Sequence, residues 1–116
     1  MVIIGVGVDI VKIHRFKKEF GSRFLERCFT DSEMAYLKSK GPASMAGLFA
    51  AKEATAKAIG TGFDRFWPCD IEVTHDEKGK PFIVLHGKAK DTANGATIHV
   101  SISHTDEDAV AFAVVV

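Results

Sequence analysis

Hydrophobic and polar positions alternate with different periods along this chain, and the changes of period mark out its elements. Residues 2–11 are rich in Val and Ile, with Gly5 and Gly7 set between them. β-branched side chains favour a strand, and glycines inside one mark a bend or the close approach of another backbone. Arg15, Phe16, Phe20, Phe24 and Leu25 then recur at helix-like intervals, with Gly21 as an interruption. Thr30-Asp31-Ser32-Glu33 has the form of a capping box, in which the Thr30 hydroxyl accepts from the Glu33 N–H and the Glu33 carboxylate reaches back. A short helix through Leu37 follows and ends near Gly41-Pro42.

Residues 43–59 form the strongest helix of the chain. Alanine dominates it, Met45, Leu48, Phe49 and Ile59 supply a buried stripe, and Gly60 is placed as its C-cap. Beyond the Gly60-Thr61-Gly62 loop, Ile71 and Val73 alternate with polar neighbours over residues 70–74. Residues 76–80 read as a turn and 81–86 as the returning strand. A short helix covers 88–94, and 98–103 and 109–116 are a last strand pair joined around 104–108. The pattern predicts one α+β domain over residues 1–116, an antiparallel sheet packed against helices.

Composition narrows the function classes. A hydrophobic fraction of 47% with 26% charged residues is that of a globular protein and argues against disorder. Fifteen basic residues balance fifteen acidic ones, so the basic excess usual in nucleic-acid binders is absent and no nucleic-acid partner is expected. The balance is uneven, however. Lys12, Arg15, Lys17, Lys18, Arg23 and Arg27 face only Glu19 and Glu26 within one short segment, which reads either as a solvated face or as a dock for an acidic partner. Cys28 and Cys69 lie far apart with no Cys/His cluster, which is neither a disulfide framework nor a zinc site and fits a reducing cytosol. The apolar residues 1–11 carry Asp9, lack a basic leader region and are too short to span a bilayer. The expectation is a soluble, cytoplasmic protein with no membrane partner.

Three places break the core pattern. Asp9 is a carboxylate in an apolar strand; taken alone it is a solvated strand-end residue or a turn cap, but a buried charge needs a pairing group or a metal. Glu53 and Lys57, four apart, share one helix face about 6 Å apart along the axis. Such a pair is ordinarily an exposed ion pair, yet this one sits among Ala50, Ala51, Ala54, Ala56 and Ala58, a setting for close packing. Finally, Val100-Ser101-Ile102-Ser103-His104-Thr105 delivers a histidine to a turn, where it is either simply exposed or a contact for phosphate or a leaving group. His14, His75, His86 and His99 have no metal-ligand spacing. Two carboxylates suit Mg²⁺, which takes one or two of them together with waters and substrate phosphates, and lysine is a common phosphate partner. The constellation points to metal-assisted chemistry on a phosphate or diphosphate without saying which. No P-loop or dinucleotide fingerprint is present, since Gly5-Val6-Gly7 lacks the third glycine and the helix start.

At these residues the sequence resembles the holo-acyl-carrier-protein synthase family of phosphopantetheinyl transferases. Three blocks match in order: Gly5-Val6-Gly7-Val8-Asp9-Ile10-Val11, then Phe49-Ala50-Ala51-Lys52-Glu53-Ala54 with Lys57 and Gly60-Thr61-Gly62, then Val100-Ser101-Ile102-Ser103-His104-Thr105. Asp70-Ile71-Glu72-Val73 and Gly79-Lys80-Pro81 also look like the family. The resemblance implies that Asp9 and Glu53 hold Mg²⁺ against the diphosphate of coenzyme A, the substrate. Lys57 then lies near the transferred phosphate. Gly60, Thr61, Gly62, Lys80, Pro81, His104 and Thr105 belong to the coenzyme A site. Arg15, Lys18, Arg23 and Arg27 lie where an acidic helix of acyl carrier protein docks. The implied reaction is an in-line attack of a carrier serine on the phosphorus bearing the pantetheine arm, with adenosine 3′,5′-bisphosphate leaving. The proton acceptor stays open between Asp9, Glu53 acting through water, and the water itself.

The family's small members look like homotrimers with sites at subunit interfaces, which implies that His104 and Glu53 of one site come from different subunits. The bare Val114-Val115-Val116 end is compatible with that, as an edge that a neighbour covers. One departure is Leu48, where the family commonly has a basic residue; Lys52, Arg65 and Lys80 are the candidates to compensate. Two rival readings remain beside the transferase: a non-catalytic module holding a nucleotide and an acidic protein, and a small metal-dependent phosphohydrolase. The second lacks the carboxylate or histidine cluster of a two-metal site.

Overall fold

The chain alternates short strands and helices, and a computed structural model describes residues 2–17 and 23–116. Strand β1 (Gly5–Lys12) leads through a 3₁₀ turn at Ile13–Phe16 to the short helices α1 (Arg23–Cys28) and α2 (Asp31–Leu37), then to the long α3 (Pro42–Ile59). A second 3₁₀ turn, Pro68–Asp70, precedes the hairpin β2 (Ile71–His75) and β3 (Pro81–Leu85). Helix α4 (Gly87–Ala93) and the pair β4 (Ile98–His104) and β5 (Asp108–Val115) complete the order. The architecture is α+β, as expected, but the strands form two antiparallel sheets, one ordered β1-β5-β4 and the other a β2-β3 hairpin.

Local chemistry accounts for most boundaries. Thr30 and Glu33 form the expected capping box, with Glu33 N to Thr30 Oγ1 at 3.1 Å and Thr30 N to Glu33 Oε1 at 2.9 Å. Pro42 opens α3 in its first turn, and Gly60 closes it with φ of 103° in the left-handed region. The Asp76 carboxylate fixes the β2–β3 turn by accepting from the N–H groups of Lys78 and Lys80. The strand expected from residue 2 joins the ladder only at Gly5.

Helix α3 is the centre of the molecule. It packs across β1, β5 and β4 and against β2 and the first 3₁₀ turn, so it is buried on nearly every side rather than along the single stripe its sequence indicated. It lies unusually close to β1 because a Cβ at Gly7 would overlap the Ala54 carbonyl oxygen, and one at Gly5 that of Ala58. Ala109, Ala111 and Ala113 of β5 make the middle strand equally thin beneath the helix. The close approach of backbone that Gly5 and Gly7 indicated is therefore that of α3 on β1.

The other face of the three-stranded sheet is bare. Val6, Val8 and Ile10 of β1 and Phe112 of β5 are exposed on it, and the register sets Val8 opposite Phe112 and Val6 opposite Val114. This corrects the expectation of a bare edge at Val114-Val115-Val116. β5 is the central strand, hydrogen-bonded on both sides, so the uncovered feature is a face and not an edge.

Candidate active site

The close seat of α3 on β1 creates the site. Asp9 points to the helix side of the sheet, in the same row as Ala111 of β5 and Ile102 of β4. Glu53 and Lys57 stand one turn apart on α3. Lys57 Nζ donates to Asp9 Oδ1 at 3.1 Å and to the Val8 carbonyl at 3.1 Å, which holds an exposed ammonium against a carboxylate that is 15% exposed. The Glu53–Lys57 spacing thus serves a three-residue cluster rather than an isolated helical ion pair.

Glu53 is half-buried beside them. Burial pushes its carboxyl above the usual carboxylate range, Asp9 adds to the rise, and Lys57 and Arg15 oppose it. Among the described residues no donor hydrogen-bonds the Glu53 carboxylate, so a partly desolvated anion is left with free oxygens beside a second anion. That arrangement fits a divalent cation with hard oxygen ligands. No cluster of three or more His, Cys, Asp or Glu that could hold a metal occurs among the described residues.

The other expected contacts are placed less compactly. Gly60, Thr61 and Gly62 lie one turn beyond Lys57. The Gly62 N–H returns to the Ala56 carbonyl at 3.1 Å, and the Thr61 hydroxyl donates to the Gly62 carbonyl at 2.9 Å. His104 shares the helix side of the sheet with Asp9, but in the row Val11–Ala109–His104 and on the opposite edge strand. Standard strand spacings put roughly 12 Å between the Asp9 and His104 backbones, and its Nδ1 lies 3.1 Å from the Thr105 carbonyl. The Thr105 hydroxyl accepts from the N–H groups of Glu107 and Asp108, which closes the β4–β5 turn. Lys80 and Pro81 line a separate cleft of about 690 Å³ between the β2–β3 hairpin, α4 and β4. One chain therefore brings Asp9, Glu53, Lys57 and the glycine loop together at the β1 edge and carries His104, Lys80 and Pro81 at the β4 edge.

Of the residues expected to dock a carrier, Arg15 lies on the first 3₁₀ turn with its guanidinium 5.9 Å from the Phe16 ring centre and 6.0 Å from that of Phe49. Arg23 and Arg27 are exposed on α1. Lys18 lies outside the described residues, as do Phe20 and Gly21, so the helix-like spacing that included them ends in the turn Ile13–Phe16 and α1.

Lys52 is the residue whose role sequence reasoning missed. It is fully buried, and its ammonium bonds Glu33 Oε1 at 2.7 Å, the Ile71 carbonyl at 2.5 Å and the Pro68 carbonyl at 3.2 Å. Glu33 in turn accepts from the Val73 N–H at 2.8 Å. Burial pushes the Lys52 ammonium below the ordinary lysine range, and Glu33 opposes that shift. Lys52 thus ties α2, β2 and the second 3₁₀ turn to α3 and has no free charge to substitute for a base at Leu48, which is itself in the core. The available signal was its neighbour Glu53: adjacent helix residues point about 100° apart, so one faces the site and the other the interior.

Comparisons with known proteins give the family of the chain. A family model for the 4′-phosphopantetheinyl transferase superfamily matches residues 5–114. Over 119 aligned residues the chain is 48% identical to the holo-[acyl-carrier-protein] synthase of Clostridium novyi, covering 97% of this chain and 86% of that one. It is 47% identical to that of Clostridium beijerinckii, over 97% of this chain and 96% of the relative. Among solved structures, Helicobacter pylori holo-[acyl-carrier-protein] synthase in complex with coenzyme A superposes with a TM-score of 0.86 at 37% identity, over 96% of this chain and 99% of that one. The Bacillus anthracis enzyme in complex with CoA (3′,5′-ADP) gives 0.84 at 38% identity, over 99% and 97%. With a family model along nearly the whole chain and relatives close to half identical, the chain belongs to the holo-[acyl-carrier-protein] synthases, enzymes of the 4′-phosphopantetheinyl transferase superfamily.

Proposed function

We propose that this chain, as a single transferase domain, moves the 4′-phosphopantetheine arm of coenzyme A onto a serine hydroxyl of apo acyl carrier protein. The products are holo acyl carrier protein and adenosine 3′,5′-bisphosphate. The observation that carries the reading is the convergence of Asp9, Glu53 and Lys57, with Lys57 Nζ 3.1 Å from Asp9 Oδ1, in a chain whose relatives include synthases solved with coenzyme A. Asp9 and Glu53 would hold Mg²⁺; when bound, the ion polarises the phosphoryl oxygens and neutralises charge on the diphosphate. Lys57, already beside that carboxylate pair, supplies a point charge to the transferred phosphate and to the departing bisphosphate. The glycine loop beyond it lets substrate approach backbone, and the rest of the catalysis is positioning.

His104, Thr105, Lys80 and Pro81 contact coenzyme A from a neighbouring subunit of a homotrimer. Two observations support this. They lie at the β4 edge, away from Asp9, and the outer sheet face with Val6, Val8, Ile10 and Phe112 is an exposed apolar surface of the kind subunits cover. No helix among the described residues is long and apolar enough to cross a membrane, and we place the reaction in the cytoplasm.

The test is the intact mass of an apo carrier incubated with the protein, coenzyme A and MgCl₂. A gain of one phosphopantetheine arm is expected, abolished by EDTA and in folded Asp9→Ala and Glu53→Ala variants. No gain with several apo carriers while coenzyme A still binds would replace this reading with the non-catalytic binding module.

A further inference from the structure

The sole tryptophan of the chain is one of its most exposed large side chains. Trp67 is 61% exposed, and Phe24 is 43% exposed. The two line one groove of about 370 Å³ together with Pro68, Cys28, Arg23 and Arg27. The apolar interior does not claim Trp67: its neighbour Phe66 turns inward to Ala56, Ile71 and Ala89 instead. An indole left in water forgoes one of the largest apolar burials a side chain can make, and such residues are enriched where a partner docks.

The backbone that carries the tryptophan is also held still. Its main-chain N–H donates to Asp70 Oδ2 at 3.2 Å, and its carbonyl accepts from the Asp70 N–H at 2.9 Å. Pro68 follows it with a fixed φ, and the Pro68 carbonyl accepts from the buried Lys52 ammonium. A rigid turn tied into the core presents the indole, so the backbone there needs no further ordering when something packs on it.

Charge selects what packs there. Arg23 and Arg27 are exposed on the rim, and neither is ion-paired among the described residues. Glu26, between them on α1, lines a different cavity with Thr30 and Asp31. An apolar floor under a basic rim fits a bulky apolar side chain carried on an acidic helix. The groove also continues into the reaction centre: Phe24 packs on Phe49 at 6.1 Å between ring centres, Arg15 lies over Phe49, and the Arg15 charge reaches Glu53 one turn further along α3. A second copy of this chain is a poor occupant, because its own bare face, built of Val6, Val8, Ile10 and Phe112, offers no acid to the two arginines.

We propose that Trp67 is a docking residue for the carrier substrate, forming with Phe24 the walls of a groove that receives an apolar side chain from the carrier's acidic helix. This rests on the reading that α1 is the carrier dock and adds to it the 3₁₀ turn after α3, which the basic segment did not indicate.

Trp67 is its own reporter. Titrating the intact enzyme with an apo carrier whose acceptor serine is replaced by alanine should give a saturable blue shift of the tryptophan emission. Trp67→Ala should raise KM for the carrier about tenfold, with kcat at saturating carrier, KM for coenzyme A and oligomeric state unchanged; Trp67→Phe should recover most of the loss. Arg27→Glu tests the dock itself. A raised carrier KM in Arg27→Glu, together with static emission and a normal carrier KM in Trp67→Ala, would overturn the role of Trp67 and leave the α1 dock standing. Normal carrier KM in both variants would overturn both. A changed oligomeric state in Trp67→Ala would reassign the groove to contact between copies and equally defeat the proposal.

Discussion

Replacing Lys52 with methionine should unfold this protein at a markedly lower temperature. Methionine keeps much of the apolar stem and removes the ammonium, so three acceptors lose their donor: Glu33 Oε1, the Ile71 carbonyl and the Pro68 carbonyl. Both charged side chains of the pair are 0% exposed, and stripping one partner from a buried pair costs about 3–5 kcal/mol. Glu33 keeps the N–H groups of Thr30 and Val73, which places the loss at about 3 kcal/mol, the lower end of that range. A chain of 116 residues has an unfolding entropy of about 0.24 kcal/mol/K near its midpoint, so Tm should fall by about 12 °C. Removing both charges, in Lys52→Met with Glu33→Gln, should recover most of the loss, since a buried pair is worth little against a neutral replacement. Circular-dichroism melts of the parent, both single variants and the double variant measure the cycle. A Tm for Lys52→Met within about 3 °C of the parent, or a double variant no more stable than Lys52→Met, would refute the assignment of Lys52 as a structural cation.

Two further outcomes follow from the site. Glu53 titrates above its ordinary range in the folded state because of burial and Asp9, so its contribution to stability is present below about pH 4.3, its unfolded value, and is lost as pH rises through the folded value. In EDTA at neutral pH Glu53→Gln should therefore melt above the parent, with the gap closing toward pH 4.3, whereas MgCl₂ should raise the parent Tm and leave the variant unmoved; a variant less stable than the parent in EDTA contradicts the charge balance described for the site. If His104 and Glu53 of one working site come from different subunits, a mixture of inactive His104→Ala and Glu53→Ala proteins should regain part of the activity after subunit exchange. Mass spectrometry can prove the exchange, and persistent inactivity after proven exchange would place both residues in one subunit's site.

Much of this molecule is written locally. The Thr30–Glu33 box, the Gly60 cap, the Asp76–Lys80 turn and the alanine-rich α3 need only neighbours within a few residues, and each forms where the sequence indicates. Asp9, Glu53 and Lys57 stood out in the sequence as charges among small apolar residues, and the structure brings Lys57 to Asp9 at 3.1 Å. What the sequence by itself determined is thus the elements and the α+β class. The packing of those elements decided the rest. Lys52 and Glu53 are adjacent and both charged, yet one became a buried tie and the other a half-buried carboxylate beside Asp9 and Lys57, because only the seat of α3 on β1 assigns each helix face to core or cleft. The uncovered Val114 region became a central strand, and the apolar surplus moved to the outer face of β1, because strand order follows from long-range pairing. Trp67 carried no local signal, since exposure is a property of the surrounding surface and not of the residue. His104 and Asp9 were read into one site shared between subunits, and within a chain two strand spacings separate them. Distances across a sheet are set by which strands hydrogen-bond, and periodicity along a single strand contains no record of that.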